Sequence, residues 1–188
     1  RPGQATAERG LASGRSAGRQ ALAAGLAAAC LVPAFLPQGR FLDGFLRASR
    51  GREKIGEVLL YREGSTDTIA IVRKDYGFFD PDAKSLITNG VAMSATVKPV
   101  WRYMAMEGHL PVLRAPAPTR ALVICLGTGS TLGASASHPA LASIDAVELS
   151  EGVLEGLSFF EAENGNSFRD PRVRLVREDG RHFLETSS

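Results

Sequence analysis

The chain has 188 residues, 44% hydrophobic and 22% charged, with 20 glycines and 10 prolines; these proportions exclude a fibre, a collagen-like repeat and whole-chain disorder and suit one domain or a small domain plus extras. The formal charge of +2 is concentrated in residues 1–20, where Arg1, Arg9, Arg15 and Arg19 stand against Glu8, so no strong basic field argues for nucleic acid. Two cysteines, Cys30 and Cys125, cannot build a zinc site or a disulfide framework.

Residues 1–20 are rich in Arg, Ala, Gly and Ser, lack an apolar period and read as a disordered basic segment. Residues 21–37 form a short Ala-rich hydrophobic segment, whose uncharged run Ala21–Leu36 is broken by Pro33. That run is shorter than a bilayer crossing needs. It is open to four readings: a short soluble helix, the tail of a membrane segment, an organelle-targeting peptide, or a lipoprotein signal ending at Cys30. From Lys54 the period changes to two. Ile55, Leu59 and Tyr61 share one face of a first strand, Arg62–Asp67 reads as a turn, and Thr68–Lys74 as a second strand. Asp75–Asp82 is a loop, and Ser85–Thr88 a third strand ending at Asn89-Gly90, a strong hairpin signal because both residues tolerate positive φ. Residues 53–95 are thus expected to form a small antiparallel β domain.

Residues 96–114 form a linking helix: Pro99 suits its first turn, Val100, Tyr103, Met104 and Met106 give an apolar face, and Pro111 is expected to end it. After a Pro-containing linker, Arg120–Leu126 is a continuous apolar run, expected to be a strand buried on both faces of a parallel sheet. A Gly-rich turn and a small-residue helix follow, then a second buried strand Ser143–Val147 ending at Glu148. Ser150 can cap a helix bearing Val153, Leu154, Leu157 and Phe160, Asn164-Gly165 stops it, and Val173–Val176 is a third strand before Glu178-Asp179-Gly180. Strand and helix alternate over 115–188, which implies right-handed crossovers and a parallel sheet, with the first strand expected in the middle. Such a sheet usually has five or more strands, so this reads as the first half of a Rossmann-like domain, truncated after its third strand.

Three positions carry candidate chemistry. Gly127, Thr128 and Gly129 follow the first parallel strand, where glycines let backbone approach a ligand and expose amide donors. Glu148, at the end of the next strand, is placed to accept from ribose hydroxyls, and Asp179-Gly180, after the third, from an adenine amino group. Gly133 is one residue off the spacing of the full dinucleotide fingerprint, so the arrangement points to an S-adenosylmethionine-type nucleoside fold. Cys125 is expected to be packed in a buried strand end, and His138 and His182 to be structural.

The ordered segments Tyr61-Arg62-Glu63-Gly64, Thr88-Asn89-Gly90, His109-Leu110-Pro111, Leu126-Gly127-Thr128-Gly129, Val147-Glu148-Leu149, Asn164-Gly165, Asp170-Pro171-Arg172-Val173 and Asp179-Gly180-Arg181-His182-Phe183-Leu184 resemble the spermidine synthase (polyamine aminopropyltransferase) family. They are especially similar to spermidine synthase-like proteins in which the domain follows a membrane segment. The resemblance covers about residues 53–186. It implies an α/β architecture, a small antiparallel β domain followed by a Rossmann-like, methyltransferase-type parallel sheet, and transfer of an aminopropyl group from decarboxylated S-adenosylmethionine to putrescine, without a metal. By resemblance Glu148 is the ribose-binding acid, Asp179 the adenine-binding acid, Gly127 and Gly129 part of the glycine loop, and Tyr103 and His109 substrate-side residues. Cys125, Leu126, Thr128, Ala105 and Met93 depart from the family pattern: two glycines, an Asp, a Glu and a Gln are replaced. The family's general base lies beyond Ser188, and an amine must be deprotonated before it attacks, so the chain as it stands is expected to be inactive. A diverged S-adenosylmethionine-dependent methyltransferase and a non-catalytic, membrane-associated nucleoside-binding module remain alternatives. A homodimer, association with a membrane through 21–36, and a cytoplasmic, membrane-associated or organelle-targeted location are all open at this point.

Overall fold

β-Branched and aliphatic residues at alternating positions dominate residues 57–95, and they form four antiparallel strands that lie side by side in chain order: β1 (Glu57–Glu63), β2 (Thr68–Lys74), β3 (Ala83–Thr88) and β4 (Val91–Ala95). The computed structural model describes residues 56–187 apart from 66 and 79, so the expectations for 1–20 and 21–37 lie outside the described residues. β1 extends through Glu63, and the turn that follows is closed by Gly64 N–H donating to the Asp67 carbonyl at 2.7 Å. Asn89 and Gly90 turn β3 into β4 with φ of 50° and 81°. The central strand β2 is covered on both faces, since Ile69, Ala70, Ile71 and Val72 are at most 3% exposed.

Helix α1 (Lys98–Arg114) starts as expected, with Pro99 in a first turn where no N–H partner is needed. Pro111 does not end it. Its ring deprives only the Glu107 carbonyl of a partner, it lies within the last turn, and Ala115 N–H closes that turn on the Pro111 carbonyl at 3.0 Å. The buried face of α1 is Met104, Gly108 and Val112, whereas Tyr103 and Met106 are each 50% exposed. Gly108 sets this rotation. A Cβ there would lie 2.4 Å from the Thr131 carbonyl oxygen and 2.7 Å from Ala134 Cβ, so α1 crosses the next helix at backbone contact.

The second sheet is parallel, in the order β5 (Arg120–Ile124), β6 (Ser143–Val147), β7 (Val173–Val176). Helix α2 (Ser130–Ala136) joins the first pair. Helix α3 (Glu151–Gly156), a 3-10 turn (Leu157–Phe160), helix α4 (Glu161–Asn164) and a second 3-10 turn (Ser167–Arg169) join the second pair, and helix α5 (Gly180–Thr186) follows β7. Ser150 caps α3 by accepting from Val153 N–H, and Gly165, with φ of 63°, ends α4. Among the three strands β6, not β5, is in the middle, because each crossover steps one strand further in the same direction. Nor is β5 buried on both faces: Val123 is 8% exposed, but Leu122 and Ile124, on the opposite face, are 39% and 37% exposed.

One core joins the two sheets, with Ile69, Ile71 and Leu86 packed among Leu126, Val153, Leu157 and Phe160. Two glycines one helical turn apart make the joint: a Cβ on Gly152 or on Gly156 would sit 2.8 Å from Ile69 Cγ1 or Ile71 Cδ1. Burial of each isoleucine contributes about 1.5–3 kcal/mol. At the rim of the joint, Arg62 of β1 pairs with Glu155 of α3 at 2.6 Å.

Candidate functional site

The carboxyl ends of β5, β6 and β7 converge. After Ile124 the chain takes positive φ at Cys125 (66°), Gly127 (54°) and Gly129 (78°), a tight loop that leads into α2. Glu148, immediately after β6, is only 8% exposed. Its Oε2 accepts the Leu126 N–H and its Oε1 the Ser150 N–H, both at 2.9 Å. The carboxylate is therefore locked between the glycine loop and the start of α3, and each oxygen keeps a further lone pair for a ligand hydroxyl. Asp179 is exposed and caps α5, its Oδ1 accepting from the N–H groups of Arg181 and His182 at 3.0 Å.

Cys125, the first residue of the loop, feels the charge of both acids and lines the cavity beside it. Burial pushes its thiol above the ordinary range, and the charges of Glu148 and Asp179 push it further. It is nonetheless an exposed free thiol, not a packed strand residue. The strand stops at Ile124, and the left-handed turn at residue 125 takes the side chain out of the sheet.

A cavity of about 460 Å³ opens beside this loop. Gly127, Glu148 and Tyr103 line it, together with Met93, Ser94 and Met104. Two acids that sequence reasoning missed line it as well: Asp67, from the β1–β2 turn, and Glu107, one helical turn beyond Tyr103 on α1. No lysine, arginine or histidine stands among the described residues lining it. A larger hollow of about 610 Å³ runs along β5, lined by Ala121, Leu122, Val123 and Ile124 among others, but it touches neither Glu148 nor the glycine loop.

The other expected site residues go elsewhere. Thr128 is 0% exposed; its Oγ1 shares a 2.9 Å hydrogen bond with Ser130 Oγ and faces Met104 Sδ, so the side chain is packed beneath α1 and does not line the cavity. Gly129 is a packing position, where a Cβ would press on Asn164 Cβ at 3.1 Å. At Gly180 a Cβ would meet Ile124 Cγ2 at 2.3 Å, so this glycine seats α5 against β5. His109 does not join Tyr103. Its Nδ1 is 2.9 Å from His138 Nε2, the two rings edge to face. His138 follows α2 on the way to the start of β6, at the opposite end of the sheet from Glu148.

Asn164, legible in the sequence only as a helix stop, holds the loop in place. It is 1% exposed, its Nδ2 donates to the carbonyls of Thr128 (3.2 Å) and Leu157 (3.0 Å), and its Oδ1 accepts from Asn166 N–H (2.8 Å). Among the described residues no three metal-ligating side chains come together, and no helix is long and apolar enough to cross a membrane.

Residues 100–188 match the family model described as the spermine/spermidine synthase domain. The chain is 30% identical over 128 residues to a spermidine synthase of Dictyostelium discoideum, covering 68% of this chain and 43% of that protein. It is 35% identical over 85 residues to putrescine N-methyltransferase 1 of Nicotiana tabacum, covering 45% of this chain and 23% of that protein. Among solved structures it is similar to spermidine synthase from Thermotoga maritima, with a TM-score of 0.60 at 21% identity, over 70% of this chain and 44% of that one. A spermidine synthase in complex with the transition-state analogue AdoDATO matches equally, with a TM-score of 0.60 at 21% identity, over 70% of this chain and 43% of that one. The chain thus spans less than half the length of these relatives. The fold expected from the resemblance, an antiparallel sheet followed by a methyltransferase-type parallel sheet, is the one observed.

Proposed function

We propose that this chain is the adenosyl-binding part of an aminopropyltransferase of polyamine biosynthesis, with decarboxylated S-adenosylmethionine as donor and an aliphatic amine such as putrescine as acceptor. The observation that carries the reading is Glu148. It is a buried carboxylate fixed by two backbone N–H groups at the end of β6, beside a glycine loop and on an acidic cavity. A ribose needs an acceptor of this kind, and the switch region at the carboxyl ends of parallel strands is where such sheets bind nucleosides. In the reaction the neutral amine attacks the propyl carbon next to the sulfonium. The carbon–sulfur bond breaks, its electron pair neutralises sulfur, methylthioadenosine leaves, and the new ammonium gives up a proton. Donor and acceptor are both cations, and the acidic cavity wall favours both.

A second reading is methyl transfer from S-adenosylmethionine to an amine. It is favoured by Thr128, which is packed beneath α1 and leaves the loop without an acid for an aminopropyl nitrogen. The two donors differ by one carboxylate, which the acidic cavity disfavours. Calorimetry of the 188-residue chain with both donors and with methylthioadenosine separates the readings. Aminopropyl transfer expects the decarboxylated donor to bind about tenfold tighter or more. Tighter binding of S-adenosylmethionine selects methyl transfer, and binding of none of the three overturns both.

A further inference from the structure

We propose that Asn164, which does not itself line the cavity, is a positioning residue for the nucleoside: with Glu148 it fixes the glycine loop at two points, so that the Gly127 backbone is in place at the cavity before a ligand arrives. The assignment rests on the nucleoside reading and adds the residue that sets the shape of its loop. Three of the five loop residues from Cys125 to Gly129 have positive φ. Glycines lose the most conformational freedom on ordering, so a loop of this kind keeps one shape only where its neighbours pin it. Two pins flank Gly127. Leu126 N–H donates to Glu148 Oε2 at 2.9 Å, and the Thr128 carbonyl accepts from Asn164 Nδ2 at 3.2 Å. Inside the loop, Gly129 N–H donates to the Leu126 carbonyl at 2.8 Å. Leu126 and Gly127 line the cavity whereas Thr128 and Asn164 do not, so the second pin acts from outside it.

Both pins belong to one crossover. The other oxygen of Glu148 accepts the Ser150 N–H, Ser150 caps α3, and the Leu157 carbonyl in the 3-10 turn after α3 also accepts from Asn164 Nδ2, at 3.0 Å. Asn164 Oδ1 accepts from Asn166 N–H at 2.8 Å, so both ends of the amide are engaged in a residue only 1% exposed. Gly133, whose spacing misses the dinucleotide fingerprint, has its use here. A Cβ on it would lie 2.4 Å from the Asn164 carbonyl oxygen, and one on Gly129 would lie 3.1 Å from Asn164 Cβ. Helix α2 and the end of α4 thus meet at backbone contact, which leaves Asn164 little room to move. The placing of the Gly127 backbone relative to the Glu148 carboxylate, the two groups a nucleoside would meet, is therefore set by a side chain outside the cavity. Such preorganisation raises affinity because the ligand need not order the loop itself.

The test is calorimetric titration of the 188-residue chain with methylthioadenosine, well below the melting range of each variant, together with hydrogen exchange at the loop amides. Asn164→Ala removes the pin, and Asn164→Ser is a milder second variant. Each is expected to bind methylthioadenosine about 3–10-fold more weakly than the parent, the worth of one neutral hydrogen bond. Each is also expected to exchange the Gly129 N–H faster, with added ligand restoring protection. Leu141→Ala controls for a merely structural loss: it truncates a buried residue at the opposite end of β6 from Glu148, is expected to cost comparable stability, and should keep affinity within about twofold. Affinity within about twofold of the parent in the Asn164 variants overturns the assignment, as does an equal loss of affinity in Leu141→Ala. In the ligand-free parent the Gly129 N–H is expected to be protected. If it exchanges freely until methylthioadenosine is added, the loop is not set in advance, and the assignment falls even where no Asn164 variant folds. The nucleoside reading fails by a different result: a parent chain that does not bind methylthioadenosine removes that reading, and the positioning role with it.

Discussion

Replacing Glu148 by glutamine perturbs two things that can be measured apart. In the folded chain the carboxylate accepts one N–H on each oxygen, from Leu126 and from Ser150, in a site only 8% exposed. Glutamine keeps one oxygen. Its amide group turns a donor toward the other N–H, so one charge-assisted bond becomes neutral and the second is lost with a buried donor left unpaired. Net worths of about 1 kcal/mol for the first change and about 1–3 kcal/mol for the second sum to about 2–4 kcal/mol of stability. For a domain of this size that is a fall in Tm of roughly 6–20 °C. A ribose bound at the same oxygens loses a charged acceptor, and the adenosyl ligand should bind about 10–100-fold more weakly. Calorimetric melting of the free protein gives the first quantity, and titration with methylthioadenosine below the variant's melting range gives the second. A variant that melts within a degree of the parent would refute the two-bond geometry. One that binds methylthioadenosine unchanged would remove Glu148 from the ligand site.

Asn164→Leu should cost about 2–4 kcal/mol in chemical denaturation, because it strands the carbonyls of Thr128 and Leu157 and the N–H of Asn166; a change under half a kilocalorie would show that the loop is held by something else. Cys125 should react with iodoacetamide only as pH rises past the ordinary thiol range, since burial, Glu148 and Asp179 all disfavour the thiolate. Asp179→Asn should move the midpoint of that rate profile down and methylthioadenosine should protect the thiol, whereas a midpoint at or below the ordinary value would contradict the arrangement. The Asp170 carboxyl is held below the usual range, first by the Arg172 side-chain hydrogen bonds and then by the Arg172 backbone N–H. Its ionised form therefore adds stability above the ordinary Asp range, and this is lost as pH falls through the depressed folded value. Asp170→Asn should melt lower than the parent at neutral pH, with the gap closing toward acid; a gap independent of pH would refute this reading of the pair.

Elements whose cause is local were legible in the residues. The alternation in Thr68–Lys74 defines β2 to the residue, and Ser143–Val147 matches β6. Ser150 caps α3 because its hydroxyl reaches an N–H three residues on, and Asn89-Gly90 turns the chain because both residues accept positive φ. Glu148 could be placed from sequence because a residue that directly follows a buried parallel strand has nowhere to go but the carboxyl edge of the sheet. Glu107 left a faint signal, helical spacing from Tyr103; Asp67 left none. Tertiary packing decided the rest. Gly108 turns α1 so that Met104 faces inward and Tyr103 outward, Met104 closes over Thr128, and His109 finds His138 at the far end of the sheet. Backbone propensities act over three or four residues, and they settle where strands and helices begin and end. The direction of a side chain at a junction is settled by the partner packed against it, and here that partner comes from 29 residues away for His109 and from 24 for the Met104 that covers Thr128.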